Sequence, residues 1–194
     1  MATAIEPESL STKARHVSLV QKLNDGTSAL SGADAPLITV DVNHQRNHDG
    51  RAYQAWVLYP YASPLAAGAS CNIVFAAGPG VRMHLMIDAL LMGDAELYFY
   101  EGATSTGGTA FTPVIRNRNY TTASQVAMVV NPTVNTTGDL IDAQFLPGGV
   151  GKKSGGGDAQ SLEFVLKPLT NYLIRMTNVN GTAHTGHITL EWYE

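Results

Sequence analysis

Charge is scarce in this chain. Asp, Glu, Lys and Arg make up 14% of its 194 residues, against about a quarter in ordinary globular domains. No basic excess offsets the shortage, since the net charge is -4, and that excludes the electrostatic footprint of a nucleic-acid-binding surface. Cysteine is limited to Cys71, which excludes a disulfide framework within one chain and leaves a small core residue as the expected role. No run approaches the roughly 20 apolar residues that span a bilayer, and the N-terminus lacks the basic start and apolar stretch of a signal peptide. A soluble protein made in the cytosol is expected, with neither membrane nor nucleic acid as a partner.

What replaces the charge is Gly, Ser, Thr, Asn and Ala, beside an ordinary 44% of hydrophobic residues. Small polar residues suit β-rich folds with many turns. Residues 1–35 differ from the rest. PESLSTKARHVSLVQKLNDG permits a short helix ended at Asn24-Asp25-Gly26, followed by a Ser/Gly/Ala linker. Such an arm is either frayed or laid on a neighbouring molecule.

From about residue 36 the pattern shortens to a period of two. LITVDV aligns Ile38, Val40 and Val42; AYQAWVLY sets Tyr53, Ala55, Val57 and Tyr59 against Gln54, Trp56 and Leu58. In NYLIRMTN, Tyr172, Ile174 and Met176 oppose Leu173, Arg175 and Thr177, and HITLEWYE alternates in the same way. About ten short strands with almost no helical period predict an all-β domain over residues 36–194, a β-sandwich. Eight or more strands in two sheets favour a jelly roll, with an immunoglobulin-like sandwich second because its cysteine pair is missing. MHLMIDALLMG also fits a short helix, through Met83, Ile87 and Leu90.

LPGGVGKKSGGGD imitates a phosphate-binding loop. In such a loop the lysine is followed by Ser or Thr and then a helix; here Lys152 is followed by Lys153 and a run of glycines that resists helix formation. A loop between two strands is expected. VNHQRNHDGRAY holds His44 and His48, which would pair on a metal only along a helix face, but the stretch reads as a loop turning at Asp49-Gly50. Asp88, Asp94, Glu96 and Glu101 read as turn carboxylates rather than a glycosidase pair, and no nucleophile signature is present. The chain is therefore expected not to be an enzyme, and to use no cofactor or metal. The aromatics Trp56, Tyr59, Tyr61, Tyr98, Phe99, Tyr100, Trp192 and Tyr193 either fill the core or line a sugar-binding face.

The order of segments HDGRAY, ASPLAAGAS, LYFYEGAT, FTPVIRNRN, NPTV, LPGGVGKKSGGG, LKPLTNYLIRMTN and LEWYE resembles a group of tailed-phage virion proteins. These are small all-β structural proteins, some of them capsid decoration or cement proteins, and the likeness runs from Asn43 to Glu194. It implies a virion protein assembled in the host cytoplasm. It also implies binding as a dimer or trimer to the major capsid protein at capsomer junctions. The alternative is a carbohydrate-binding β-sandwich of a virion appendage. Exposure and chain flexibility point to contacts at Arg15, Val17 and Leu23 in the arm, at His44, Arg46, His48 and Arg51, and at Lys152 and Lys153.

Overall fold

A computed structural model describes residues 20–22, 28–30, 42–148 and 163–194. The chain divides into two compact units, Met1–Val40 and Asp41–Glu194. In the first, β1 (Val20–Lys22) and β2 (Ser28–Leu30) pair antiparallel with Val20 opposite Leu30. The short helix expected through this stretch is thus corrected over Val20–Lys22. Asp25-Gly26, read as a helix stop, is equally a hairpin signal. The predicted contacts Arg15, Val17 and Leu23 lie outside the described residues.

The second unit opens with α1 (Val42–His48) and continues through β3 (Ala52–Tyr59), β4 (Ser70–Ala76), β5 (His84–Leu91) and β6 (Ala95–Glu101). Short strands follow: β7 (Thr104–Thr106), β8 (Thr109–Phe111), β9 (Val114–Ile115), β10 (Ala127–Val130) and β11 (Thr133–Thr136). The chain then forms β12 (Asp139–Leu146), β13 (Phe164–Val165), β14 (Asn171–Asn178) and β15 (Gly186–Tyr193). Val42 therefore begins a helix instead of ending the expected strand LITVDV, whose other residues lie outside the described ones.

Two antiparallel sheets face each other, a six-stranded one in the order β12-β6-β14-β4-β10-β8 and a five-stranded one in the order β13-β5-β15-β3-β9. Neighbours in each sheet come from distant parts of the chain, since β14 lies between β4 and β6 and β15 between β3 and β5. The period of two decides which residues meet. Tyr172, Ile174 and Met176 of β14 join Ile73 and Phe75 of β4 and Leu97 and Phe99 of β6 against Tyr53, Leu85, Ile188, Leu190 and Trp192 of the opposite sheet. Phe99 is the hinge of this contact, edge-on to Phe164 of the facing sheet with centroids 5.1 Å apart. Cys71 is a fully buried core residue, and burial pushes its thiol up to about 11.

The helical alternative for MHLMIDALLMG is corrected. Residues 84–91 form β5, bonded to β15 on one side and to β13 on the other, with Leu85 and Leu91 buried. A short run of apolar residues satisfies both periods, and cross-strand hydrogen bonding arbitrates. The outer face of the six-stranded sheet is partly covered as well. Val74, Ala103 and Leu173 are buried there, with Tyr100, Val129 and Val134 packed against them. Val134 belongs to β11, which pairs with β7 as a separate ribbon. That cover explains why Leu173 is apolar on the face opposite the core.

Candidate functional site at the α1 end

Helix α1 is only seven residues long, too short to be stable in isolation; its ends and its packing hold it. Gly50 N–H donates to the Asn47 carbonyl at 3.1 Å and Arg51 N–H to the Arg46 carbonyl at 2.9 Å. With Gly50 at φ 68°, these two bonds make a Schellman ending, which a left-handed glycine permits. Arg46 and His48 occupy the last turn, where cations suit the helix dipole, and Asn117 Nδ2 donates to the His48 carbonyl at 3.3 Å. The expected loop over His44–His48 is thereby corrected to a helix packed on β3 and β15.

The ending also fixes what Gly50 touches. An added Cβ would lie 2.5 Å from Cγ of Tyr120, inside the contact limit, in a backbone region that side chains avoid. Gly50→Ala is expected to cost about 2 kcal/mol, read as a lower thermal midpoint. Removing the ring with Tyr120→Ala in the same chain should restore part of it. Equal losses with and without the ring would show that backbone strain alone is at work.

The helix brings its two histidines together. Their Nε2 atoms are 3.0 Å apart and their rings meet edge to face, so one ring donates to the other. Two nitrogens make half a tetrahedral site, and no group of three or more potential metal ligands comes together among the described residues. Arg46 lies over the Tyr193 ring, 6.0 Å from its centroid, a cation–π contact. The same ring stacks on His84 at 4.5 Å. Tyr193 also donates its hydroxyl to Glu163 at 2.6 Å, and His84 Nδ1 meets the same carboxylate oxygen. The Tyr193 hydroxyl first, and His84 second, hold the Glu163 carboxyl below its ordinary value.

Arg46, His84 and Tyr193 border a cleft of about 710 Å³, which Arg51, Arg82, Asp49, Tyr120 and Glu194 also line. The Glu194 carboxylate accepts from Ser124 Oγ at 2.5 Å, from the Gln125 N–H at 3.2 Å and from Trp192 Nε1 at 3.2 Å. Asp49 accepts from Gln45 Nε2 at 2.9 Å. Both acids thus have donors of their own, whereas among the described residues none of the three guanidiniums has a hydrogen-bonding or ion-pair partner. The cleft lining thus carries three guanidiniums against two carboxylates.

Of the residues expected to make contacts, Arg46 and Arg51 line this cleft, while His44 and His48 sit on its helix. Lys152 and Lys153 lie outside the described residues, as does LPGGVGKKSGGGD beyond Gly148. Sequence reasoning missed Arg82, His84 and Glu163, and placed Tyr193 only among aromatics that fill the core or line a sugar-binding face. His84 opens β5 and Arg82 lies two residues before it, so an extended chain there places the two on one face. No feature of the sequence points to Glu163 as their neighbour.

No family model, curated protein or solved structure matches the chain. Its site is read from its own geometry.

The acidic residues Asp88, Asp94, Glu96 and Glu101 are dispersed and occupied. Asp88 meets His187 at 3.2 Å, Asp94 accepts from the Gly148 N–H at 2.8 Å and Glu96 accepts from Tyr98 at 2.9 Å. Glu101 holds Lys167 at 2.6 Å and Tyr172 at 2.9 Å. The aromatics divide between two roles. Phe99 and Trp192 are core, Trp56 and Tyr61 are exposed, and the Tyr98–Tyr100 pair stands on the other sheet. They form no common platform.

Proposed function

We propose that this chain is a non-enzymatic structural protein of a tailed-phage virion, a capsid decoration or cement protein that binds the major capsid protein at capsomer junctions. The observation that carries the reading is the strand order. Within the two sheets, β3-β15-β5-β13 faces β4-β14-β6-β12. Antiparallel pairs interleaved between two sheets in this way support a jelly roll, a fold used in capsid architecture. The resemblance of the segment order to tailed-phage virion proteins points to the same reading.

The surface supplies a means of attachment. β12 is an edge strand that exposes Leu140, Ile141 and Phe145, the last at 60%. An edge of this kind leaves backbone donors and acceptors open beside apolar side chains, and proteins seldom leave such strands uncovered. Contact along β12 with the capsid lattice would bury both. Leu140→Asp with Phe145→Asp should lower occupancy on purified capsids at least about tenfold while far-ultraviolet circular dichroism is unchanged. Unaltered occupancy would remove β12 as the attachment surface. A protein that ignores capsids but binds a glycan array would instead be the carbohydrate-binding module of a virion appendage.

A further inference from the structure

We propose that the cleft beneath α1 is a binding site for a small oxyanion ligand carrying two or more carboxylate or phosphate groups. The inference is independent of the capsid reading, because it uses only the chemistry of the cleft. Three of the chain's 12 Lys and Arg residues line this one depression in a protein whose net charge is -4. They arrive from three separate segments: Arg46 in the last turn of α1, Arg51 just before β3 and Arg82 just before β5. Asp49 and Glu194 line the same cleft but accept hydrogen bonds from Gln45 and Ser124, so the three guanidiniums leave an excess of positive charge and open donors that a bound anion would engage.

Geometry narrows the ligand. A guanidinium offers five N–H donors in a planar fork that matches carboxylate and phosphate oxygens two at a time. Three forks exceed what one monoanion can use, so the ligand brings at least two anionic groups. Arg46 is half-buried with its Cζ 6.0 Å from the Tyr193 ring centroid, while Arg51 and Arg82 are exposed. One anchored cation and two adaptable ones suit a ligand gripped at its inner end. The volume of about 710 Å³ falls within the roughly 300–1,000 Å³ of small-molecule sites. Tyr120 and Thr122 add hydroxyls to the wall, and His84, whose Nδ1 is committed to Glu163, adds a ring nitrogen.

Calorimetric titration of the full chain at low salt tests this with two probes, pyrophosphate for the phosphate class and citrate for the polycarboxylate class. Saturable one-to-one binding of either supports the site, and the tighter of the two names the class. Arg51→Gln and Arg82→Gln, both surface substitutions, should each weaken binding at least about tenfold. Arg175→Gln serves as the control, because that guanidinium is bonded to Asn72 at 2.8 Å on the six-stranded sheet; it should change affinity less than about twofold. Failure of both probes to saturate at about 10 mM, well beyond the affinities expected of charge-assisted contacts, would overturn the proposal. So would an equal loss in Arg175→Gln, which would reduce the effect to overall charge.

Discussion

Asn178→Leu is expected to lower the thermal midpoint of unfolding by about 10 °C, the largest effect of any single polar substitution in the described part of the chain. Asn178 is the one polar side chain among the described residues that is fully buried. Its Nδ2 donates to the carbonyls of Leu65, Ala66 and Thr182 at 3.0, 3.1 and 2.9 Å. Its Oδ1 accepts from the backbone and side-chain nitrogens of Asn180 at 3.0 and 3.1 Å. Asn180 in turn donates to the Asp94 carbonyl at 2.7 Å. Asn178 thus ties the loop before β4 to the loop between β14 and β15, and through Asn180 to the turn before β6.

Leucine has the same branched four-atom skeleton and none of the hydrogen bonds, so no cavity opens and the lost polar contacts dominate. The Leu65 and Ala66 carbonyls keep the N–H groups of His184 and Ala69, so the Thr182 carbonyl and the Asn180 N–H are left stranded; at about 1–3 kcal/mol each, about 4 kcal/mol is the expected sum. At roughly 2–4 °C per kcal/mol for a domain of this size, a shift near 10 °C follows. Asn178→Asp should be at least as harmful, because a carboxylate would face three carbonyl oxygens. A shift below about 3 °C for the leucine variant would mean that water reaches these carbonyls and the clamp is dispensable.

The second large effect is expected at the sandwich centre. Phe99 is 1% exposed and its ring neighbours Tyr172 at 5.6 Å, Phe164 at 5.1 Å and Phe75 at 6.4 Å. Phe99→Ala removes the ring shared by both sheets and leaves a cavity that four strands cannot close without moving. A loss of about 3–5 kcal/mol is expected, seen in urea as a lower midpoint with an unchanged slope. Phe99→Leu keeps most of the volume and should cost less than about 2 kcal/mol. Comparable losses for the two variants would show that aromatic geometry, rather than filled volume, governs the contact.

The long strands were legible because their side chains alternate. The faces read for β3, β14 and β15 are the faces that the core uses, down to Trp56 and Leu58 standing outside while Tyr53 and Ala55 lie within. β7, β8 and β9 were not legible, since two or three residues cannot display a period. Alternation sets Leu173 opposite Tyr172, Ile174 and Met176 without any sign that a ribbon would cover it. Helix α1 escaped notice for a related reason: its stability comes from the Gly50 ending and from packing on β3 and β15.

The site divides along the same line. Composition and alternation determined by themselves that the chain would form two antiparallel sheets with a core of aromatic and branched residues, because burial on one face of a strand needs only a local pattern. Tertiary structure alone decided that Arg46, Arg51 and Arg82 share a cleft and that Glu163 meets His84 and Tyr193. Those neighbours are set by strand order. That order depends on which distant segments pair, and no local pattern encodes it.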